Sequence, residues 1–224
     1  MPKTTKKSIP AYISDIYAWL YLNRKVYNLL NSEKIQNILT FGSHNILINE
    51  LNKEIASKSK ILQIGVTLGG QIAQTSFCLN RKGEYTIMDI LPHILEKCQE
   101  KYQTHRINYI NANAAKPFKG DYDTIICYML LHELPPITRQ KVITNILKAL
   151  PVGGKAVFVD YHLPSSLNPL KYFIRAFNRL YQPFAEALWK TPIREMATDK
   201  ENYTWSKQTY FGGTYQKVVA TRER

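Results

Sequence analysis

The chain has 224 residues, of which 45% are hydrophobic and 21% are charged. This composition suits one well-buried globular domain and excludes a chain that is mainly disordered. The formal net charge of +13 is denser in two flanks, residues 1–35 and 165–224, than in the centre. Basic flanks can contact an anionic membrane surface or nucleic acid, or they can simply be solvated. The aromatic-rich modules that RNA-binding proteins carry are missing from this sequence. Nucleic acid is therefore not the expected partner.

Cysteine usage and hydropathy point to the cytoplasm. Cys78, Cys98 and Cys127 are odd in number and form no CxxC pair, which argues against a disulfide framework and against a zinc site. The sequence has no run of about 18 apolar residues, so we expect no membrane-spanning segment. The expected location is the cytoplasm, with peripheral contact at the inner face of the membrane.

Residues 1–55 predict a helical lid that belongs to the same domain as the rest of the chain. Apolar residues recur every three or four positions between Ile9 and Leu20, and a second helical pattern runs from Ile46 to Leu51. Such a lid would close over a ligand and exclude water. Its candidate ligand-covering residues are Tyr12, Tyr17, Trp19 and Tyr21.

Residues 56–224 predict an α/β core. Strand-like apolar runs lie at 60–66, 84–89, 106–110, 123–129 and 155–160, and helix-like stretches lie between them at 70–80, 92–103 and 136–149. This β-α-β-α order predicts a mostly parallel sheet that is covered on both faces.

The C-terminal part of the core departs from that alternation. Residues 165–190 predict an amphipathic, basic helical insertion that is broken near Pro183. Two further strands, 203–210 and 214–220, are joined across Gly212-Gly213, which is a hairpin signal. The resulting seven-stranded sheet with an antiparallel C-terminal hairpin resembles the Rossmann-like fold of class I methyltransferases.

The first strand of the core ends in an altered glycine-rich turn. Class I methyltransferases usually carry an acidic residue and then a GxGxG run at this place, whereas this chain has Gln63, Gly65, Thr67 and Gly69. Glycines in such a turn let the backbone approach a nucleotide cofactor closely. The other cofactor-binding candidates lie at or just after later strands: Asp89, Ile90, Asn113, Ala114 and Tyr128. Among them, Asp89 is placed to accept hydrogen bonds from the ribose hydroxyls. No GKS or GKT follows a glycine loop, so a P-loop is excluded.

Two polar segments follow the strands at 123–129 and 155–160, where a substrate would meet the cofactor. Their imidazole, carboxylate and phenol groups are candidates for acid–base catalysis: His132, Glu133, Asp160, Tyr161 and His162. His132, Asp160 and His162 are also candidate ligands for a divalent metal such as Mn²⁺. The alternative is structural, with His132 and Glu133 capping the next helix and His162 packing at the mouth of the crevice.

Several longer motifs resemble the rhodoquinone biosynthesis enzymes of the RquA type, which belong to the class I methyltransferase superfamily. The matching pieces span nearly the whole chain: IPAYISDIYAWLY at 9–21, MDILP at 88–92, LLHELP at 130–135, VDYHLP at 159–164, QPFAEALW at 182–189 and YFGGTYQKVV at 210–219. The resemblance implies conversion of ubiquinone to rhodoquinone, in which an amino group replaces a ring methoxy group. It also implies S-adenosylmethionine as the amino donor, assisted by Mn²⁺.

Two other activities stay open from the sequence. Related proteins with altered cofactor loops cyclise S-adenosylmethionine and release methylthioadenosine, as azetidine-2-carboxylate synthases do. Conventional methyl transfer to a small aromatic acceptor is the other. The leading hypothesis is a transferase that uses S-adenosylmethionine on a lipophilic quinone, with peripheral contact to a membrane.

Overall fold

The computed structural model of the protein describes residues 9–223. Its strands are β1 (Lys60–Ile64), β2 (Glu84–Asp89), β3 (Ile107–Asn111), β4 (Thr124–Tyr128), β5 (Lys155–Tyr161), β6 (Tyr203–Tyr210) and β7 (Tyr215–Arg222). They form one sheet in the order β3-β2-β1-β4-β5-β7-β6. Strands β1 to β5 are parallel, and β7 is antiparallel to both β5 and β6. The predicted seven-stranded, mostly parallel sheet with an antiparallel hairpin is confirmed.

Both faces of the central strands are covered, which explains their uninterrupted apolar sequences. Helices α6 (Gln71–Phe77), α7 (Pro92–Lys101) and α8 (Pro136–Ala149) follow β1, β2 and β4. Successive side chains of a strand point to opposite faces. Accordingly, Leu62 and Phe158 pack with Ile146 of α8, whereas Ile61 and Val157 belong to a second cluster on the other face.

The N-terminal segment is helical, as expected, but it is divided into five short helices. They are α1 (Ala11–Asp15), α2 (Ala18–Tyr21), α3 (Arg24–Leu30), α4 (Glu33–Leu39) and α5 (His44–Asn52). Asn23 caps α3 by accepting hydrogen bonds from the backbone N–H groups of Lys25 and Val26. Residues 1–8 of the predicted lid lie outside the described part of the chain.

The C-terminal insertion contains α9 (Lys171–Tyr181), α10 (Ala185–Lys190) and α11 (Ile193–Met196). The break between α9 and α10 contains Pro183, as predicted, because proline has no N–H to continue the helix. The turn of the β6–β7 hairpin contains Gly212 and Gly213, both with positive φ. Within residues 9–223, no helix is long and apolar enough to cross a membrane.

Candidate active site

Two cavities open where the parallel strands end, which is where α/β folds of this kind bind ligands. The smaller cavity has a volume of about 70 Å³. The larger has a volume of about 320 Å³. Tyr21 and Glu133 line both cavities and therefore mark the place where they meet.

The predicted cofactor residues divide between these cavities and the protein interior. Five of them line the smaller cavity: Gly65, Asp89, Ile90, Asn113 and Ala114. Thr67 and Tyr128 line the larger one. Gln63 and Gly69 line neither cavity.

Gln63 lies behind the glycine turn and is fully buried. Its side-chain amide forms a reciprocal pair with the amide of Gln71, with N···O distances of 3.0 and 3.1 Å. Its Oε1 also accepts a hydrogen bond from the hydroxyl of Tyr85, and its Nε2 donates to the carbonyl of Gly65. An uncharged amide can satisfy all these partners without the desolvation penalty of a buried carboxylate. The structure thus gives Gln63 contacts that support the turn instead of contacts with the cavity.

Gly69 also has a packing reason to be glycine. Its φ of +84° is unfavourable for other residues, and a Cβ atom there would lie 2.8 Å from Nε2 of His44. Its carbonyl accepts hydrogen bonds from Tyr102 and Lys101, both at 3.0 Å. The turn therefore fits closely against α5 and α7.

Asp89 connects the turn after β1 to the loop after β2. Its carboxylate accepts hydrogen bonds from the backbone N–H groups of Val66 and Leu91, each at 2.8 Å. Burial raises the pKa of Asp89, and these two hydrogen bonds partly oppose that shift. Each carboxylate oxygen has a further lone pair, so the group can also accept hydrogen bonds from a ligand.

Asp160 and His132 form a buried pair beside the larger cavity. The Oδ2 of Asp160 accepts hydrogen bonds from the backbone N–H groups of Leu130 and Leu131, at 3.1 and 2.7 Å. Its Oδ1 lies 2.8 Å from Nδ1 of His132. Burial opposes protonation of the imidazole, but the Asp160 carboxylate outweighs burial and raises the pKa of His132. Because Nδ1 is bonded to Asp160, Nε2 is the nitrogen that can meet a ligand.

Glu133 lies next to this pair and is also buried. One of its carboxylate oxygens accepts a hydrogen bond of 2.6 Å from the hydroxyl of Tyr21 in α2. Burial raises the pKa of Glu133, while His132 and the bond from Tyr21 act in the opposite direction. The N-terminal segment is thereby attached to an ionisable group of the core.

The other predicted catalytic and lid residues have different positions. Tyr161 lines the larger cavity and packs edge-on against His132, with ring centroids 4.6 Å apart. Tyr12 lines the smaller cavity and Trp19 lines the larger one. Tyr17 is only 1% exposed and lines neither cavity.

Only two of the three residues predicted to bind a metal come together: His132 and Asp160 are paired, and His162 lies elsewhere. The Nδ1 of His162 lies 2.8 Å from the carbonyl oxygen of Gly213, and its Nε2 lies 2.9 Å from the ammonium group of Lys207. His162 lines neither cavity, unlike His132. Within residues 9–223, no group of three or more His, Cys, Asp or Glu side chains is arranged to hold a metal ion. These residues do not fit Mn²⁺, and we assign no step to it.

Arg139 of α8 is a site residue that the sequence did not indicate. It is only 1% exposed, and its guanidinium donates to the backbone carbonyls of Leu131, Leu134 and Phe184 at 2.7–3.0 Å. It therefore fixes the segment that carries His132 and Glu133. An arginine within a helix usually lies on the surface, so the sequence carries no signal for this role.

Comparisons with known proteins identify methyltransferases as similar to this chain. Residues 61–154 match the family model described as a methyltransferase domain. A relative from Shewanella piezotolerans, called ubiquinone/menaquinone biosynthesis C-methyltransferase UbiE, is 26% identical over 62% of this chain and 55% of its own length. An uncharacterized methyltransferase from Synechocystis is 26% identical over 75% of this chain and 78% of its own length. The chain thus spans only about half of the UbiE relative.

Solved structures share the fold at lower identity. An O-methyltransferase family protein from Burkholderia thailandensis has a TM-score of 0.69 at 13% identity, over 92% of this chain and 64% of its own. The N-methyltransferase NodS from Bradyrhizobium japonicum, in complex with S-adenosyl-L-homocysteine, has a TM-score of 0.57 at 13% identity, over 90% of this chain and 94% of its own. The chain is therefore similar to class I methyltransferases in sequence and has their fold.

Proposed function

We propose that this protein is an S-adenosylmethionine-dependent transferase that acts on a lipophilic quinone, with rhodoquinone-type replacement of a methoxy group by an amino group. The observation that carries the proposal is the meeting of the two cavities at Tyr21 and Glu133. Residues suited to a nucleotide cofactor line one cavity, and acid–base and aromatic groups line the other.

The smaller cavity is assigned to the cofactor. Asp89 would accept hydrogen bonds from the ribose hydroxyls, and Gly65 would let the backbone approach the ligand. The amide of Asn113 would contact the adenine ring. Tyr12 and Tyr21 would present aromatic faces to the sulfonium, an attraction of about 1–2 kcal/mol when it is desolvated. Tyr12 and Ile13 of α1 line this small cavity, so α1 would move outward to admit the cofactor.

The groups at the junction suit the proton transfers of an amination. The amine of the cofactor must lose a proton before its nitrogen attacks the ring carbon that carries the methoxy group. His132 would accept that proton at Nε2. As the new C–N bond forms and the C–O bond breaks, Glu133 would carry a proton from the attacking nitrogen to the departing methoxide, which leaves as methanol. The bond between this nitrogen and the α-carbon of the amino donor would then break: the α-proton is lost, two electrons pass into the quinone ring, and water hydrolyses the resulting imine. The products are an aminohydroquinone and a 2-oxo acid.

A third cavity supports a lipophilic substrate. It has a volume of about 190 Å³ and shares Leu39, Tyr161 and Phe177 with the larger cavity. Its other lining residues are mainly apolar: Ile38, Phe41, Phe173, Ile174, Asn178, Thr214 and Tyr215. A quinone ring in the larger cavity could therefore extend an apolar tail into this one.

A surface of α9 supports contact with a membrane. Its apolar side chains Tyr172, Phe173 and Leu180 are 59–78% exposed, whereas polar Asn178 is 1% exposed. The helix thus turns apolar residues toward solvent. Lys171, Arg175 and Arg179 on the same helix would attract acidic headgroups. We assign this face, called the α9 face below, to the surface of an anionic lipid bilayer.

Quinone C-methylation is the second candidate, since the UbiE relatives carry that activity in their names. In both reactions a base must activate the attacking group, so the same His132–Asp160 pair would serve. The difference lies in which group of the cofactor reaches the ring.

Mass spectrometry with labelled cofactor distinguishes the reactions. Purified protein is incubated with S-adenosylmethionine carrying ¹⁵N in its amino group, with and without ubiquinone. The proposal predicts a quinone product that contains ¹⁵N and has lost one methoxy group. A methylated quinone together with S-adenosylhomocysteine would support the second candidate. Methylthioadenosine formed without quinone would contradict both.

A further inference from the structure

His44 is a buried polar residue of the larger cavity to which the proposed chemistry gives no role. It is the first residue of α5, lines that cavity and is only 2% exposed. Its Nε2 has no hydrogen-bond partner among residues 9–223. Native proteins keep few buried polar atoms unpaired, and those few call for an explanation such as a ligand.

The position of this imidazole is fixed by close packing. A Cβ atom on Gly69 would lie 2.8 Å from Nε2 and 3.0 Å from Cε1 of His44. The glycine turn therefore leaves room for the histidine ring. Because α5 also buries Leu47, Ile48 and Leu51 in the core, the ring is carried by a firmly held helix.

The electrostatic environment favours a neutral ring. Burial lowers the pKa of His44, and the charge of Glu33 opposes this shift only in part. A neutral imidazole bonds well to an uncharged oxygen such as a ring carbonyl, to which an Nε2–H can donate. It has no positive charge with which to pair a carboxylate or a phosphate.

A second residue that lines the same cavity also has a buried polar atom without a partner. The Oε1 of Gln182, in the break between α9 and α10, is buried without a hydrogen-bond partner in the described part of the chain. The N-terminal segment and the C-terminal insertion thus each contribute one unsatisfied polar group. Both lie outside the pair formed by His132 and Asp160.

We propose that His44 is a specificity-determining residue whose Nε2 hydrogen-bonds an oxygen substituent of the substrate ring, with Gln182 as an additional polar contact. The inference rests on the proposed function, since it takes the ligand of the larger cavity to be a quinone. It selects rings that carry an oxygen substituent within reach of His44. Hydrocarbon rings would leave Nε2 unpaired and would bind poorly.

The test measures binding of a tailless quinone, 2,3-dimethoxy-5-methyl-1,4-benzoquinone, by quenching of tryptophan fluorescence. Trp19 lines the larger cavity and is a built-in reporter. His44→Leu removes the polar atom, and His44→Gln supplies an amide nitrogen at a similar reach. His105→Leu is the matched control, because His105 bonds to Ser76 in a separate surface groove.

We expect His44→Leu to weaken quinone binding about tenfold, the loss typical of one hydrogen bond at the upper end of its range. His44→Gln should recover most of the affinity, and His105→Leu should bind like the wild type. The melting temperature of His44→Leu should not fall, because leucine removes an unpaired polar atom from the interior. A purely structural histidine would lower the melting temperature and leave affinity unchanged.

Two outcomes overturn the inference in different ways. If the wild type and His44→Leu bind the quinone equally, His44 has no role in specificity, and the proposed function stands. If the wild type does not bind the quinone at all, the proposed substrate is wrong, and the inference falls with it.

Discussion

At the scale of single residues, the proposed chemistry depends most on the buried contact between Asp160 and His132. Asp160 is fully buried and accepts hydrogen bonds from three backbone N–H groups as well as from the imidazole, so its position is tightly defined. Its charge sets the proton affinity of His132, against the effect of burial. The protonation state of His132, which lines the larger cavity, therefore depends on the arrangement of the carboxyl ends of β4 and β5.

The pH dependence of kcat/KM should report this pair. If His132 acts as the base, its neutral form is active, so kcat/KM should rise with pH through a midpoint above the ordinary histidine value of 6.5. Asp160→Asn removes the charge that raises the pKa while burial remains, so the midpoint should move to lower pH. Asp123→Asn is the control, because Asp123 directly precedes β4, at the opposite end of that strand from the site. An unchanged midpoint in Asp160→Asn would exclude this role.

The same pair makes stability depend on pH. A histidine whose pKa is raised by folding stabilises the folded state below its unfolded value near 6.5, and this contribution disappears as pH rises through the folded pKa. The free energy of unfolding from urea titrations should therefore contain a term that decreases from pH 6.5 upward. In His132→Asn that term should be absent. A wild-type curve without it would contradict the assigned direction of the shift.

Among the elements, α1 and α2 depend strongly on their contacts with the core. These helices have five and four residues, which is too short for independent stability. Their contacts with the core include the Tyr21–Glu133 hydrogen bond and the packing of Ile13 near Leu91 and Ile94. The proposed lid role of this segment would thus depend on these contacts beside the smaller cavity.

Hydrogen exchange of residues 11–21 tests that dependence. Tyr21→Phe removes one hydrogen bond, worth about 1 kcal/mol, and should speed exchange in this segment about fivefold. Tyr172→Phe, at an exposed tyrosine of α9, should not change it. Added S-adenosylmethionine should slow the exchange in the wild type. Equal exchange in wild type and Tyr21→Phe would mean that the bond to Glu133 does not hold the segment.

The α9 face makes a separate prediction. Wild-type protein should sediment with vesicles that contain phosphatidylglycerol, and less with pure phosphatidylcholine vesicles. Replacing Phe173 and Leu180 by serine should reduce sedimentation with the acidic vesicles. Phe77→Ser is the matched control, since Phe77 is 77% exposed on α6, away from α9. If all three proteins sediment alike, the α9 face is not a membrane contact.

At the level of the whole molecule, the sequence predicted the sheet better than the site. Each strand lies within two residues of its predicted position, because strands buried on both faces have continuous apolar runs. The sequence predicts Asp89, Asn113 and Glu133 near the crevice because they lie at or after the carboxyl ends of strands, and these ends meet at one edge of the sheet. That inference needs only the order of the elements.

Side-chain direction could not be predicted in the same way. Gln63 lies in the glycine turn motif, yet its amide is bonded to Gln71 and Tyr85, which are distant in sequence. His162 follows β5 as expected, but it bonds to Gly213 in the hairpin turn. Arg139 and His44 lie on helices and carry no strand-end signal. Each of these positions depends on tertiary partners that a single sequence does not reveal.

The central claim is that S-adenosylmethionine binds between the turn after β1 and the loop after β2. Isothermal titration of the cofactor into wild type, Gly65→Ala and Gly153→Ala tests it most directly. Both glycines have positive φ, so both changes strain the backbone by about 1–3 kcal/mol, but only Gly65 lines the smaller cavity. We predict single-site binding to the wild type, unchanged affinity in Gly153→Ala and a loss of about tenfold or more in Gly65→Ala. No binding to the wild type, or equal affinity in the two variants, would contradict the account.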